Sequence, residues 1–157
     1  MDKPVLLLQL RFEEGVRLRV YRDINGIESI GIGRNLSAQP FFNGEKIPDE
    51  ISEALAEEIC LADIASTRQR LAARLRFFAR LDAARQDACI NMAFQLGVGG
   101  FMAFSHMICH LSKGEWQAAY DCALASEWGQ DFPARAQRVA NQLMTGVYYQ
   151  PSVVVAV

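Results

Sequence analysis

The stretch RFEEGVRLRVYRDINGIESIGIGR, residues 11–34, decides how the chain begins to fold. An apolar run, PVLLLQLRF (4–12), leads into it and predicts a helix from about Pro4 to Glu14 that stops at Gly15. From Val16 the period changes. VRLRVYRD alternates apolar and polar residues, Asn25-Gly26 is the preferred pair for a tight hairpin turn, and GIESIGIG reads as the returning strand. One choice here is not explained by folding. The last turn of a helix carries partial negative charge and is a poor place for carboxylates, yet Glu13 and Glu14 stand there.

Beyond the hairpin, Pro40, Asn43-Gly44 and Pro48 mark a loop, and from Pro48 or Asp49 the pattern is helical almost to the end. Ile51, Leu55, Ile59 and Ala62 recur at helical spacing and predict a long helix able to bridge a small β-containing lobe and a helical lobe. DAARQDACINMAFQLG (82–97) predicts a helix capped by Asp82 and ended by Gly97. It is apolar on all sides from Ala88 to Leu96 except at Asn91 and Gln95, so it is central and buried. Those two amides are four apart and share one face, which must meet water, a ligand or internal hydrogen bonds. Shorter helices are expected near 101–112, 115–125 and 133–145, before the tail PSVVVAV.

With 157 residues, a net charge of −2 and a mean hydropathy of +0.05, the chain reads as one soluble globular domain. The run VLLLQL is too short for a membrane span or a signal-peptide core. Cys60, Cys89, Cys109 and Cys122 show no metal-ligand spacing; Cys60, Cys89 and Cys122 fall within apolar helical patterns and are read as reduced core residues, which favours folding in a cytoplasm. No metal or cofactor is implied. Charge is uneven: acids dominate 45–63, and Arg68, Arg70, Arg74, Arg76, Arg80 and Arg85 follow. These are solvated helix faces or a surface for an anionic polymer. Nucleic acid is disfavoured by the slightly acidic total and the lack of a groove-reading motif.

At period two, Ile30 and Ile32 face the buried side of the second strand, and Ser29, Gly31 and Gly33 the other. That second face is reduced to a hydroxyl and two bare backbones, against which a bulky ligand could lie; a bulge or tight bend is the alternative. Asp23, nine residues after Glu14, suits turn chemistry by itself. Together the parts suggest more. A helix C-terminus disfavours the charged form of a carboxyl, which suits Glu14 as a proton donor, while a carboxyl on a hydrated turn stays ionised. Two carboxyls so divided are the signature of glycosidic bond hydrolysis.

Over nearly its whole length the sequence resembles the phage-type lysozymes and endolysins of glycoside hydrolase family 24. EEGVRLRVYRD followed by SIGIGRNL matches the family's Glu-Gly…Asp…Thr-Ile-Gly-x-Gly-His pattern, and INMAFQLG, GGF, W…P.RAQRV and the late TG.Y match its helical lobe in order. The resemblance implies an α+β lysozyme fold. Its small β-containing lobe would span about 15–66, and its helical lobe about 67–157 plus the N-terminal helix 1–14.

Carried over by position, Glu14 is the catalytic acid, and Asp23 and Ser29 (usually Thr) hold the attacking water. Gln95 and Phe101 line the cleft opposite Gly33 and Leu36, and Trp128 packs between cleft floor and core. Arg135 matches an Arg that pairs with the catalytic Glu. Two departures stand out. Arg34 replaces the family's His, whose partner position holds Asp63, so an Arg34–Asp63 ion pair is expected that persists to higher pH than a His–Asp pair. The 37–48 segment is also shorter than in close relatives.

The implied activity is inverting hydrolysis of the β-1,4 bond between N-acetylmuramic acid and N-acetylglucosamine in bacterial peptidoglycan. The implied enzyme is a monomer in the host cytoplasm that depends on a holin to reach the wall during phage-driven lysis; a prophage or virion setting is equally open. A lytic transglycosylase would have no use for the Asp23–Ser29 pair. A non-catalytic wall-binding or virion module would not need Glu14, Asp23 and Ser29.

Overall fold

The computed structural model describes residues 2–41 and 44–157, so Asn43 of the expected Asn43-Gly44 turn lies outside the described residues. The fold is α+β: a three-stranded antiparallel sheet near the N-terminus, then helices. The chain divides into two compact units, one of Met1–Asp63 with Pro151–Val157 and one of Ile64–Gln150.

In the first unit α1 (Val5–Glu14) ends where expected, with the Gly15 N–H donating to the Arg11 carbonyl. Its Leu6, Leu7 and Leu10 are buried, each burial stabilising by about 1.5–3 kcal/mol. The sheet runs β1 (Arg17–Arg22), β2 (Glu28–Gly31), β3 (Arg34–Asn35). The β1–β2 loop is not a two-residue turn on Asn25-Gly26. The Gly26 N–H donates to the Asp23 carbonyl and the Asp23 N–H to the Ile27 carbonyl, so three residues form the loop and Gly26, at φ 76°, closes it.

The returning strand is also shorter than expected. β2 stops at Gly31, the chain turns over through Ile32 and Gly33, and β3 comes back to pair with β2 at Ser29↔Asn35 and Ile30↔Arg34. Gly31 and Gly33 have φ of 68° and 65°, which favours glycine at both. Strand periodicity therefore does not carry through 31–33, and the bend wins over the glycine-lined face. Gly31 belongs to the packing: a Cβ there would meet Ala56 Cβ at 3.6 Å and Ile51 Cδ1 at 3.7 Å. Ile30 and Ile32 are buried as expected.

The long helix α2 (Glu53–Arg74) starts later than Pro48 or Asp49 suggests. Ile51 instead donates its N–H to the Leu18 carbonyl beside β1, and the Ser52 hydroxyl caps the helix by accepting the Leu55 N–H. Arg11 binds Glu53 and Glu57 of α2 and the Val154 carbonyl of the tail. Arg11 thus ties α1 to α2 and to the tail, and α1 and residues 151–157 belong to the same compact unit as the sheet, where the expected lobes set them with the helices.

The second unit holds the end of α2, a 3-10 turn at Phe78–Arg80, and α3 (Ala83–Met102), α4 (Ser105–Ser112), α5 (Trp116–Ala125), α6 (Glu127–Asp131) and α7 (Pro133–Thr145). Asp82 caps α3 by accepting the Arg85 N–H, and Gly97 interrupts the helix, which resumes to Met102. The short α6 is too brief to show a period in the sequence; the Ser126 hydroxyl caps it. Ala119 and Ala123 of α5 and Ala136 and Ala140 of α7 are fully buried, small enough to let these two packed helices approach closely.

Two arginines of the basic run are structural. Arg85 donates to the Leu143 and Met144 carbonyls at the end of α7, with its guanidinium 3.9 Å from the Trp116 ring centre, and Arg68 binds Gln86 and Asp87. All four cysteines are free. Cys60 and Cys89 are core residues, and burial pushes the Cys89 thiol up to about 12, which makes it inert. Cys122, also expected in the core, is only half-buried, and Cys109 is exposed.

Candidate active site

Glu14 ends α1 and is half-buried. Gly33 faces it so closely that a Cβ on Gly33 would lie 3.0 Å from Glu14 Cγ and Oε2. Gly33 is thus required twice, by its left-handed backbone and by the carboxyl it touches. Gly33→Ala should displace the Glu14 carboxyl and strain the backbone. We expect a destabilisation of about 1 kcal/mol or more and a clear fall in turnover. Wild-type turnover in a folded Gly33→Ala protein would show that the contact is incidental.

Asp23 is half-buried, and its two carboxylate oxygens differ. Oδ1 accepts the Asn25 N–H at 2.8 Å and the Ile27 N–H at 2.9 Å, which fixes the hairpin loop. Oδ2 makes no hydrogen bond among the described residues. Ser29 is buried in β2, paired with Tyr21 of β1 and Asn35 of β3.

Tyr21 is the site residue that the sequence did not reveal. Its hydroxyl hydrogen-bonds with Ser29; burial, then the Glu14 charge, then that of Asp23 push its pKa up, against the nearby Arg17. The Arg17 guanidinium lies 5.1 Å from the Tyr21 ring centre. Tyr21 therefore sits near Glu14, Asp23 and Ser29. The signal was available in principle: Tyr21 is two residues from Asp23, a same-face spacing in the alternating sequence VRLRVYRD.

Arg34 forms the expected ion pair with Asp63 and also donates to the Pro40 carbonyl at 2.7 Å, joining the start of β3 to α2 and to the following loop. The pair is shielded, with side chains 15% and 10% exposed, so the small contribution of a surface pair does not describe it. Burial pushes the Asp63 carboxyl above its ordinary value; Arg34 opposes this without cancelling it. Ionised Asp63 is therefore worse off folded than unfolded. Its contribution to stability is full below the ordinary Asp value of 3.8 and is lost as pH rises through the raised folded value. Wild type should gain stability relative to Asp63→Asn as pH falls from about 6 to about 3, measured by denaturant unfolding. The opposite trend would mean that Arg34 outweighs burial. Leu36, after β3, is half-buried, and its N–H donates to the Glu28 carbonyl.

In the helical unit the two amides of α3 have internal partners. The Asn91 side-chain oxygen accepts from Arg135 Nε and Nη2, and its amide donates to the Tyr149 hydroxyl at 3.0 Å. Arg135 Nη2 also reaches the Asn91 carbonyl, so a buried cation is clamped to α3. Gln95, half-buried, accepts the Trp128 indole N–H at 2.8 Å, and Trp128 is a packed residue as expected.

Phe101 is a correction. It is wholly buried and belongs to the core, not to a substrate-facing surface. The aromatics beside a pocket are Phe104, Trp128 and Phe132. With Leu96, Glu127 and Asp131 they line an open pocket of about 230 Å³ in this unit. Trp128 and Phe132 are four apart, a helical spacing from which the pocket could have been suspected.

A carboxyl at the end of the first helix, a second at the hairpin loop and a buried hydroxyl on the returning strand, in an α+β frame, are the parts expected of a glycoside hydrolase of lysozyme type. Comparison with known proteins makes this specific. Residues 11–144 match the phage lysozyme family, and the chain belongs to it: a glycoside hydrolase, a muramidase, of the family that acts on peptidoglycan. The pre-baseplate central spike protein Gp5 of Enterobacteria phage T4 is 32% identical over 92% of this chain, which spans only 29% of the spike protein's length. Probable T4-type lysozymes 1 and 2 of Dictyostelium discoideum are 27% and 26% identical, each over 87% of this chain and 92% of the relative.

Proposed function

We propose that the chain cleaves the β-1,4 bond between N-acetylmuramic acid and N-acetylglucosamine by single-step, inverting hydrolysis. Glu14 gives its proton to the glycosidic oxygen as the bond to the muramic acid C1 breaks. A water held by Asp23 Oδ2 and the Ser29 hydroxyl attacks C1 from the opposite face, and Asp23 takes its proton. The observation that carries this is the division of labour at Asp23, whose Oδ1 holds the loop while Oδ2 stays available. Gly33 and Leu36 in the sheet unit, and Gln95 in the helical unit, are proposed substrate contacts, with Arg135 and the Arg34–Asp63 pair as supports. The pocket beside Trp128 adds aromatic faces suited to sugar rings.

The setting we infer is phage-driven lysis by a monomer made in the host cytoplasm and released to the wall through a holin. The two lysozyme-length relatives favour a free-standing lysozyme, and the likeness to a spike protein favours a virion-associated one. Expression in a bacterial host with and without a co-expressed holin separates them. Lysis only with the holin supports the first; no lysis with an active purified enzyme supports the second. Clearing of permeabilised cells by purified protein tests the activity itself.

A further inference from the structure

We propose that residues Pro151–Val157 are a strap that positions the catalytic acid, an inference that rests on Glu14 being that acid. These residues lie beyond the stretch that matches the family, residues 11–144, yet they fold with the sheet unit. They grip the chain on both sides of Glu14. Three residues before it, Arg11 donates to the Val154 carbonyl at 3.0 Å. Two residues after it, the Val16 carbonyl accepts the Val157 N–H at 2.9 Å, and the Leu18 N–H donates to the Val157 carbonyl at 2.8 Å. The last two bonds flank Arg17 in the pattern of parallel strand pairing. With Ile51 donating to the Leu18 carbonyl, the outer edge of β1 is satisfied from Val16 to Leu18.

The hold is through the backbone. Val153, Val155 and Val157 are 96%, 80% and 78% exposed, so burial of their side chains does not keep the tail in place. Without it, the Val16 carbonyl of a buried residue and the Leu18 N–H lose their partners. Between the two grips lies Gly15, at φ 76°, with nothing within 4 Å of where its Cβ would be. The Gly15 N–H holds to the Arg11 carbonyl at 3.0 Å, and the strap adds a hold on each side of this junction, which helps keep Glu14 against Gly33. A displacement of about 1 Å is enough to cost turnover heavily.

The test compares Val157→Pro, which removes the N–H that bonds Val16, with Val157→Ala, which keeps it. Both are made in the full chain and assayed on purified peptidoglycan below their melting temperatures. We expect Val157→Ala to match wild type. Val157→Pro should lose about tenfold or more in kcat with KM little changed, and it should shift the alkaline limb of the rate–pH profile, the limb that reports a general acid. Adding the peptide PSVVVAV to a chain lacking 151–157 should restore turnover in a saturable way. A folded Val157→Pro protein with wild-type kcat and profile would overturn the strap.

If Val157→Pro does not fold, amide exchange at Leu18 in the wild type decides the matter. Slow exchange that speeds up in the chain lacking 151–157 supports the strap, and fast exchange in the wild type overturns it. An active Glu14→Gln protein would remove the acid assignment without altering either exchange result, so the two failures are distinguishable.

Discussion

Glu14→Gln should abolish nearly all lytic activity, a fall of at least about a thousandfold, while leaving the fold intact. Glutamine keeps the size and most of the hydrogen bonding of the side chain but has no proton to give the leaving oxygen. The contact with Gly33 stays sterically possible, because the amide occupies the space of the carboxyl. Removing a negative charge from the end of α1 also relieves an unfavourable interaction with the helix dipole, so the melting temperature should be unchanged or slightly raised. The measurement is turbidity loss of permeabilised cells together with thermal unfolding. Near wild-type lysis by a folded variant would transfer the role to Glu13, the only other carboxyl in that turn.

The sequence was most legible where local signals and long-range packing agree. Gly15 after an apolar run ends α1, and Asp82 and Gly97 bound the first part of α3, because caps and stops act within a few residues. It was least legible where a partner distant in sequence decided the outcome. The start of α2 moved to Glu53 because Ile51 is claimed by Leu18, thirty-three residues earlier, as a backbone hydrogen-bond acceptor. β3 went unseen because two residues give no period, and Gly31 and Gly33 break the alternation before it.

The candidate site divides in the same way. Glu14, Asp23 and Ser29 are expected from spacing and chemistry, and the Arg34–Asp63 pair, expected from a matched exchange of residues, is formed. Tyr21 was hidden because an aromatic in an alternating strand is ordinary, and only the fold shows which groups surround it. Phe101 failed for the converse reason. Motif position brought it near the substrate residues, but burial places it in the core.

Asp23→Asn should be nearly as damaging as the loss of the acid, about a hundredfold or more in kcat, with little change in stability. Asparagine can still present an oxygen to the Asn25 and Ile27 N–H groups, so the loop that Oδ1 holds is retained. What is lost is the negative charge and the proton acceptor facing the water. Ser29→Ala should cost less, since it removes one hydrogen bond to that water and the one with Tyr21 but leaves the base in place. Both variants should bind wall fragments almost normally, so the loss appears in kcat and not in KM. The same roles fix the stereochemistry. A water that attacks directly, opposite the leaving group, gives the α-anomer of a reducing muramic acid end, visible by NMR before the anomers equilibrate. A β-anomer would mean that Asp23 attacks C1 itself and forms a covalent intermediate. Products dominated by 1,6-anhydro ends would mean that no water attacks at all. In either case Asp23 and Ser29 would no longer be the pair that holds and activates a water. Glu14, which must protonate the leaving oxygen on every one of these routes, would keep its role.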